Sequence, residues 1–401
     1  MATTKVSGEL VDLNESTSES GLKMPSGTES NRPTPVAGQI RNNTNETSAG
    51  SSSCMEYYKS GAWQKINNVT IPPVGSENFN IVLYSGNSST QAITGVGFQP
   101  DWVWIKERGP LAEQSNVYDS TRGVQKFLVT NDTAAEVTGS ANRLNAFNSD
   151  GFTVGSDNEI NDSGSTYVAW CWKANGGTTS SNANGDITST VQANTDAGFS
   201  IITYTGNGSA AQTVGHGLNV APDLLIVKER SGSSSWDDWT VGGDVIDNWS
   251  KNIRLNSTAA SFTGYNGAPF ANTAPTSTVF TVDYQGGAGI NGSGDTFVVY
   301  AFASITGYSK FGTYSGTGSS NPITGLGFQP AWVMIKSTTS TEDWAIFDES
   351  RGANAFLTAN TNSAEQSFSG FSFDSDGFTV PGTSGMTNGS GQTYLYIAFS
   401  T

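Results

Sequence analysis

The sequence predicts an all-β protein, an extended N-terminal segment followed by three tandem, related β-sandwich repeats of jelly-roll type. Three observations carry that expectation. The composition combines 47 Gly and 11% aromatic residues with only 13% charged residues, which suits short strands joined by many turns. A set of markers recurs three times in one order, the signature of a repeated supersecondary unit. Convincing helical periodicity is absent, and single turns near Thr133–Glu136 and Ser363–Gln366 are the most the pattern allows.

Residues 1–77 are polar and poor in aromatics until Tyr57, Tyr58 and Trp63, too thin in apolar groups for a core of their own. They are expected to order by docking on a larger assembly or by wrapping around sister chains. Repeat one, 78–175, opens with Phe79-Asn80-Ile81-Val82-Leu83-Tyr84-Ser85-Gly86-Asn87. Repeat two, 198–303, opens with Phe199-Ser200-Ile201-Ile202-Thr203-Tyr204-Thr205-Gly206-Asn207, and repeat three, 304–401, with Tyr308-Ser309-Lys310-Phe311-Gly312-Thr313-Tyr314-Ser315-Gly316. Between repeats one and two, 176–197 is rich in Gly, Ser, Thr and Asn and reads as a linker or long surface loop.

Within each repeat an apolar run ends in lysine: Trp102–Lys106, Leu224–Lys228 and Trp332–Lys336. Phe147-Asn148-Ser149-Asp150-Gly151-Phe152-Thr153-Val154 is echoed by Phe373-Asp374-Ser375-Asp376-Gly377-Phe378-Thr379-Val380, whereas repeat two has only Thr278-Val279-Phe280-Thr281-Val282. Ser149-Asp150-Gly151 and Ser375-Asp376-Gly377 read as turns between adjacent strands. Each repeat closes on a strand whose alternation leaves both faces apolar. Val168/Trp170/Trp172 oppose Tyr167/Ala169/Cys171 in repeat one, as expected of a central strand covered on both sides. Cys171 takes the slot of Ala301 and Ala398 and reads as a small core filler.

Charge narrows the function. Nineteen basic against 35 acidic residues give a net charge of −16, and the basic residues form no run, which argues against a nucleic-acid partner. Apolar stretches such as Val298–Ala303 fall far short of a membrane span. The polar N-terminus shows no secretory signal, and two cysteines, Cys54 and Cys171, make no disulfide framework, so synthesis in a reducing cytoplasm is expected.

No residue pattern calls for a cofactor. The single histidine, His216, stands between two glycines in a turn, so a packing role is expected, and no two-histidine metal site can form. Glycoside hydrolysis needs only two carboxylates, for which Asp119 with Glu107, Asp237 with Asp238, and Asp348 with Glu349 are the candidates. Asp119 and Asp348 recur with Arg122 and Arg351 in matching segments, which suits a structural ion pair better than one active site. Asp150 and Asp376 suit turn-forming hydrogen bonds better than calcium ligation. The sharpest ligand-binding candidate is Trp236-Asp237-Asp238-Trp239, two tryptophans beside two carboxylates that could stack on and hydrogen-bond to a sugar. The rival reading, a strand start with its tryptophans in the core, is favoured by the match to Trp344 in Glu342-Asp343-Trp344.

The residues also resemble a known class. Gly38-Gln39-Ile40-Arg41-Asn42-Asn43-Thr44, a spacer, and Tyr57-Tyr58-Lys59-Ser60-Gly61-Ala62-Trp63-Gln64-Lys65-Ile66 resemble a module recurrent in tailed-phage fibre proteins. The three repeats resemble those of fibre-like structural proteins of marine phages, cyanophages among them. The resemblance implies a non-enzymatic virion protein made in the host cytoplasm, homotrimeric, with residues 1–77 attached to other virion proteins. The repeats would then face outward for adsorption to a host surface glycan or protein. A tail fibre is the leading expectation, a head fibre or capsid decoration protein the alternative, and a polysaccharide-degrading tailspike a third.

Overall fold

A computed structural model describes the backbone of residues 26–27, 40–43, 54–59 and 62–65. With side chains it describes residues 75–232, 238–264, 267–284, 289–382 and 384–401. The chain divides into two compact units, Met1–Ile71 and Pro72–Thr401. In the first, the strands Ser26–Gly27, Ile40–Asn43, Cys54–Lys59 and Ala62–Lys65 form one sheet in that order, the first pair parallel and the others antiparallel. The second unit holds the three repeats.

Each repeat is built on three long strands. The opening strands are Phe79–Ser85, Phe199–Thr205 and Ser309–Ser315. The lysine-bearing strands are Trp102–Glu107, Leu224–Glu229 and Trp332–Ser337. The closing strands, Thr166–Trp172, Thr296–Phe302 and Thr393–Phe399, lie between the other two and run antiparallel to both. That central position explains the two apolar faces. Tyr167, Ala169 and Cys171 enter a sandwich core private to repeat one, with Val103, Ile105, Phe152 and Val154. Val168, Trp170 and Trp172 enter a second core to which all three repeats contribute. Each large buried side chain is worth roughly 1.5–3 kcal/mol, so this shared core is a major source of cohesion between repeats.

A smaller sheet completes each sandwich. It has three strands in repeats one and three, whereas among the described residues of repeat two it has Gln212–Gly215 paired with Val279–Val282, where the Asp-Gly-Phe-Thr-Val echo is missing. Asn148 pairs with Gly151 and Asp374 with Gly377, so the two expected turns are two-residue hairpins. At Gly151, φ is +139° and a Cβ would stand 2.0 Å from the Ile93 carbonyl oxygen, so only glycine fits.

The repeats are tandem in sequence but form a ring in space. Lys228 Nζ donates to the Thr133 carbonyl at 3.0 Å, Lys336 Nζ to that of Thr258 at 3.1 Å, and Lys106 Nζ to that of Thr361 at 2.7 Å. Repeat two thus reaches one, three reaches two, and one reaches three. Three equivalent steps that return to their start define a closed rotation, here a pseudo-threefold axis within one chain. Aromatics fill the middle: Trp102 stacks on Tyr300 with centroids 4.3 Å apart, and Trp172 and Phe302 meet Phe399 at 5.7 and 5.8 Å.

Two expectations need correction. The stretch 176–197 is not a linker or surface loop, since Ser180–Asn182 and Ser189–Asn194 extend the large sheet of repeat two beside its opening strand. Ile187, Ser189 and Val191 alternate inward and are buried, while edge pairing satisfies the backbone of an otherwise polar segment. Among the described residues an α-helical turn lies at Asn158–Asn161, capped by the Asp157 side chain accepting from the Glu159 N–H at 3.0 Å, and a 3-10 turn at Gly75–Glu77, with none near 133–136 or 363–366. Elsewhere one position tracks the path of the chain. Asp101 accepts from the N–H groups of Ala174, Gly176 and Gly177 as the chain leaves repeat one, and Asp223 from that of Ser304 as it leaves repeat two. In repeat three the position is Ala331.

Candidate functional site

The ring has two distinct ends. Gly75 packs against Ser400 and Thr401, to which an added Cβ would come within 2.7–2.9 Å, so the described repeats begin and finish together. From there each opening strand runs seven residues, about 20 Å at strand rise, to the opposite end. Ring closure brings the three turns that follow, Gly86–Gln91, Gly206–Gln212 and Gly316–Asn321, to that same distal end.

Each turn is held by one buried asparagine. Asn161 accepts from the Asn87 N–H at 3.1 Å, Asn291 from that of Asn207 at 3.0 Å, and Asn388 from that of Thr317 at 2.9 Å. The same side chains donate from Nδ2 to the carbonyls of Ser89 (2.6 Å), Ser209 (2.7 Å) and Ser319. A tyrosine braces each clamp: Tyr84, Tyr204 and Tyr314 donate to the carbonyls of Ile160, Ile290 and Thr387. Gly86, Gly206 and Gly316 start the turns, and a Cβ at each would fall 2.1–2.2 Å from the carbonyl oxygen of Asp162, Gly292 or Gly389. The tips of these turns are exposed, and none of their residues is charged.

Of the four residues chosen as a ligand platform, the structure describes Asp238 and Trp239, and both are engaged elsewhere. Trp236 and Asp237 lie outside the described residues. Trp239 is fully buried in the shared core, its Nε1 donating to the Val129 carbonyl of repeat one at 2.8 Å, and Trp344 does the same to the Arg254 carbonyl of repeat two. Asp238 is committed to Arg254 at 2.7 Å and to Asn256 Nδ2 at 2.8 Å, as Asp343 is to Asn360 Nδ2 at 2.7 Å. Trp239 is thus a core residue with a structural acid beside it.

Glu107 and Asp119 separate as well. On the lysine strand of repeat one, Val103 and Ile105 face the private core and Trp102 and Trp104 the shared one, so alternation puts Glu107 on the private side. Asp119, whose Tyr300 partner belongs to the shared core, points the other way. Asp119 and Asp348 pair with Arg122 and Arg351, all four side chains fully buried. Asp119 also accepts from Tyr300 OH at 2.8 Å, and Asp348 from Trp170 Nε1 at 2.9 Å. These are joints between repeats. Glu136 joins Arg122 (3.1 Å) to Arg230 (2.8 Å), and Glu365 joins Arg351 (3.4 Å) to Arg108 (2.9 Å). Burial opposes ionisation of both glutamates, but the paired guanidiniums hold them below the ordinary carboxylate range.

His216 is buried, accepts from the Leu218 N–H at Nδ1 and faces the Thr276 carbonyl through Nε2 at 3.1 Å. Those partners fit the neutral Nε2–H ring, and burial lowers its pKa. Asp150 and Asp376 take the N–H groups of Gly95 and Gly97, and of Gly325 and Gly327, tying one turn to another. Among the described residues no group of three or more His, Cys, Asp or Glu is placed to hold a metal ion.

The asparagine clamps escaped the sequence reading, although a signal was there. Asn161-Asp162-Ser163-Gly164, Asn291-Gly292-Ser293-Gly294 and Asn388-Gly389-Ser390-Gly391 each precede a closing strand. No curated protein and no solved structure matches the chain. A family model, described as a domain of unknown function, DUF7483, matches residues 74–401, the stretch that carries the three repeats. The chain belongs to the DUF7483 family.

Proposed function

We propose that the protein is a non-enzymatic phage virion component, a tail fibre that attaches through residues 1–77 and presents its repeats for adsorption to the host surface. The observation that carries this reading is polarity. The repeats begin and finish at one end, while three rigid, exposed turns gather at the other. Of the acids nominated for catalysis, Asp119, Asp238 and Asp348 are engaged in ion pairs within the joints and strands, which further supports a contact role. Because the threefold core closes within a single chain, association into a homotrimer falls to residues 1–77.

Gold-labelled antibody against residues 72–401, imaged on virions, tests the assignment. Label at the tail is the expected result, label on the capsid makes the protein a head fibre or decoration protein, and an unlabelled particle refutes the virion assignment. Light scattering of the full chain should give three times 42.0 kDa. A monomer at micromolar concentration refutes the trimer.

A further inference from the structure

We propose that the three distal turns form one trivalent contact face for a neutral, hydroxyl-rich polymer, an inference that rests on the adsorption reading above. The first argument is repetition. The repeats diverge in their small sheets, and Asp119 and Asp348 have only Gly243 at the matching place in repeat two, yet the buried asparagine clamp is present in all three. A turn held by both N–H and carbonyl against a fully buried side chain is already ordered before a partner arrives, which lowers the entropic cost of contact.

The second argument is chemical. In a chain of net charge −16, the turns read Ser85-Gly86-Asn87-Ser88-Ser89-Thr90-Gln91, Thr205-Gly206-Asn207-Gly208-Ser209-Ala210-Ala211-Gln212 and Ser315-Gly316-Thr317-Gly318-Ser319-Ser320-Asn321, without a single charge. Side-chain amides accompany the first two tips, with Asn87 donating to Gln91 at 3.2 Å and Asn207 to Gln212 at 2.9 Å. Amides and hydroxyls both donate and accept, as sugar hydroxyls do, and neutral groups carry no charge to desolvate. The third argument is number. One site of this kind is weak, but three on a rigid end engage a repeating polymer together, and linkage of that sort raises avidity by about 10²–10⁴.

The test uses the full chain and a triple variant, Thr90→Glu, Ala210→Glu and Ser320→Glu. These are exposed tip positions outside the clamps. Binding is measured to immobilised mannan, dextran and galactan, with alginate as an anionic control, and in parallel by competition against phage adsorption to host cells. The expected result is binding to at least one neutral polymer that falls at least 10²-fold in the triple variant and about tenfold in each single one, with unchanged thermal unfolding. Failure to bind any neutral polymer, or equal binding by the triple variant, overturns the proposal. A triple variant that still blocks adsorption as well as the natural chain overturns it while leaving the adsorption reading intact. A natural chain that blocks no adsorption refutes that underlying reading instead. Loss of binding on Trp236→Ala with full retention in the triple variant moves the contact to Trp236 and also overturns it.

Discussion

The joint between repeats two and three differs from the other two in a way that shows what holds the ring. Between repeats one and two, and between three and one, a buried aspartate–arginine pair meets an aromatic donor from the neighbour. At the equivalent places between repeats two and three stand Gly243, Ile246 and Ile397, with Ile246 and Ile397 buried in the shared core. Where Glu136 and Glu365 bridge arginines, Ser261 Oγ donates to the Thr338 carbonyl at 2.9 Å. The lysine-to-carbonyl bond is common to all three, as is a main-chain bond from the N–H of Glu136, Ser261 or Glu365 to the carbonyl of Arg230, Thr338 or Arg108. The difference follows the chain. The strands of repeats two and three are separated by only residues 303–308, whereas repeats three and one have no direct chain link. A short tether raises effective concentration, so an apolar joint suffices there. Ion pairs with fixed geometry orient the joints that the chain leaves freer.

Replacing one member of a buried pair probes this contrast most severely. Asp348→Ala removes the nearer carboxylate from the buried Arg351 guanidinium, leaving only Glu365 at 3.4 Å, and should cost about 3–5 kcal/mol in urea unfolding. Rewriting the first joint in the chemistry of the second, with Asp119→Gly, Arg122→Ile and Tyr300→Ile together, should cost less than Asp119→Ala alone, because no orphaned charge remains. A triple variant as damaged as the single one breaks the comparison. At the apolar joint, Ile246→Ala should cost about 2–5 kcal/mol through cavity formation and should be insensitive to salt.

Acid sharpens the contrast further. Glu136 and Glu365 are held below the ordinary carboxylate range, so below about pH 4 the unfolded chain binds more protons and stability falls. Hydrogen exchange at pH 3 should therefore release amides at the two ionic joints before those between repeats two and three. The smallest effect is shared by both kinds of joint. Burial brings Lys106 and Lys336 down to about 8, against roughly 10.4 unfolded. Between those values the unfolded chain holds more protons, so stability should rise gently with pH until ionising tyrosines reverse it above about pH 10. Lys336→Met should flatten that rise in a thermal-unfolding series.

The repeats and their strands were legible because each closing strand has to be apolar on two faces, and few other elements demand that pattern. Trp239 and Trp344 could be matched by their acidic neighbours, which identified both as core residues. The lysine ending each apolar run was equally visible, but its partner is a main-chain carbonyl in another repeat. Nothing local to Lys106 points to Thr361. The stretch 176–197 misled because a strand added at a sheet edge needs only Ile187, Ser189 and Val191 turned inward, and its remaining residues look like any polar loop. The clamps were hidden for a similar reason, since asparagine near glycine reads as a turn residue whether it is solvated or, like Asn291, fully buried.

The closeness of Gly75 to Thr401 has a consequence for how the order of repeats can be rewritten. A permuted polypeptide that starts with the two edge strands before repeat two, continues through repeat three and then passes by a brief bridge into residue 75 keeps all three joints. It loses only the covalent continuity near Asn175, an exposed position. Such a chain would fold to the same ring with its ends relocated, because the architecture is circular and the gene merely chooses where to cut it.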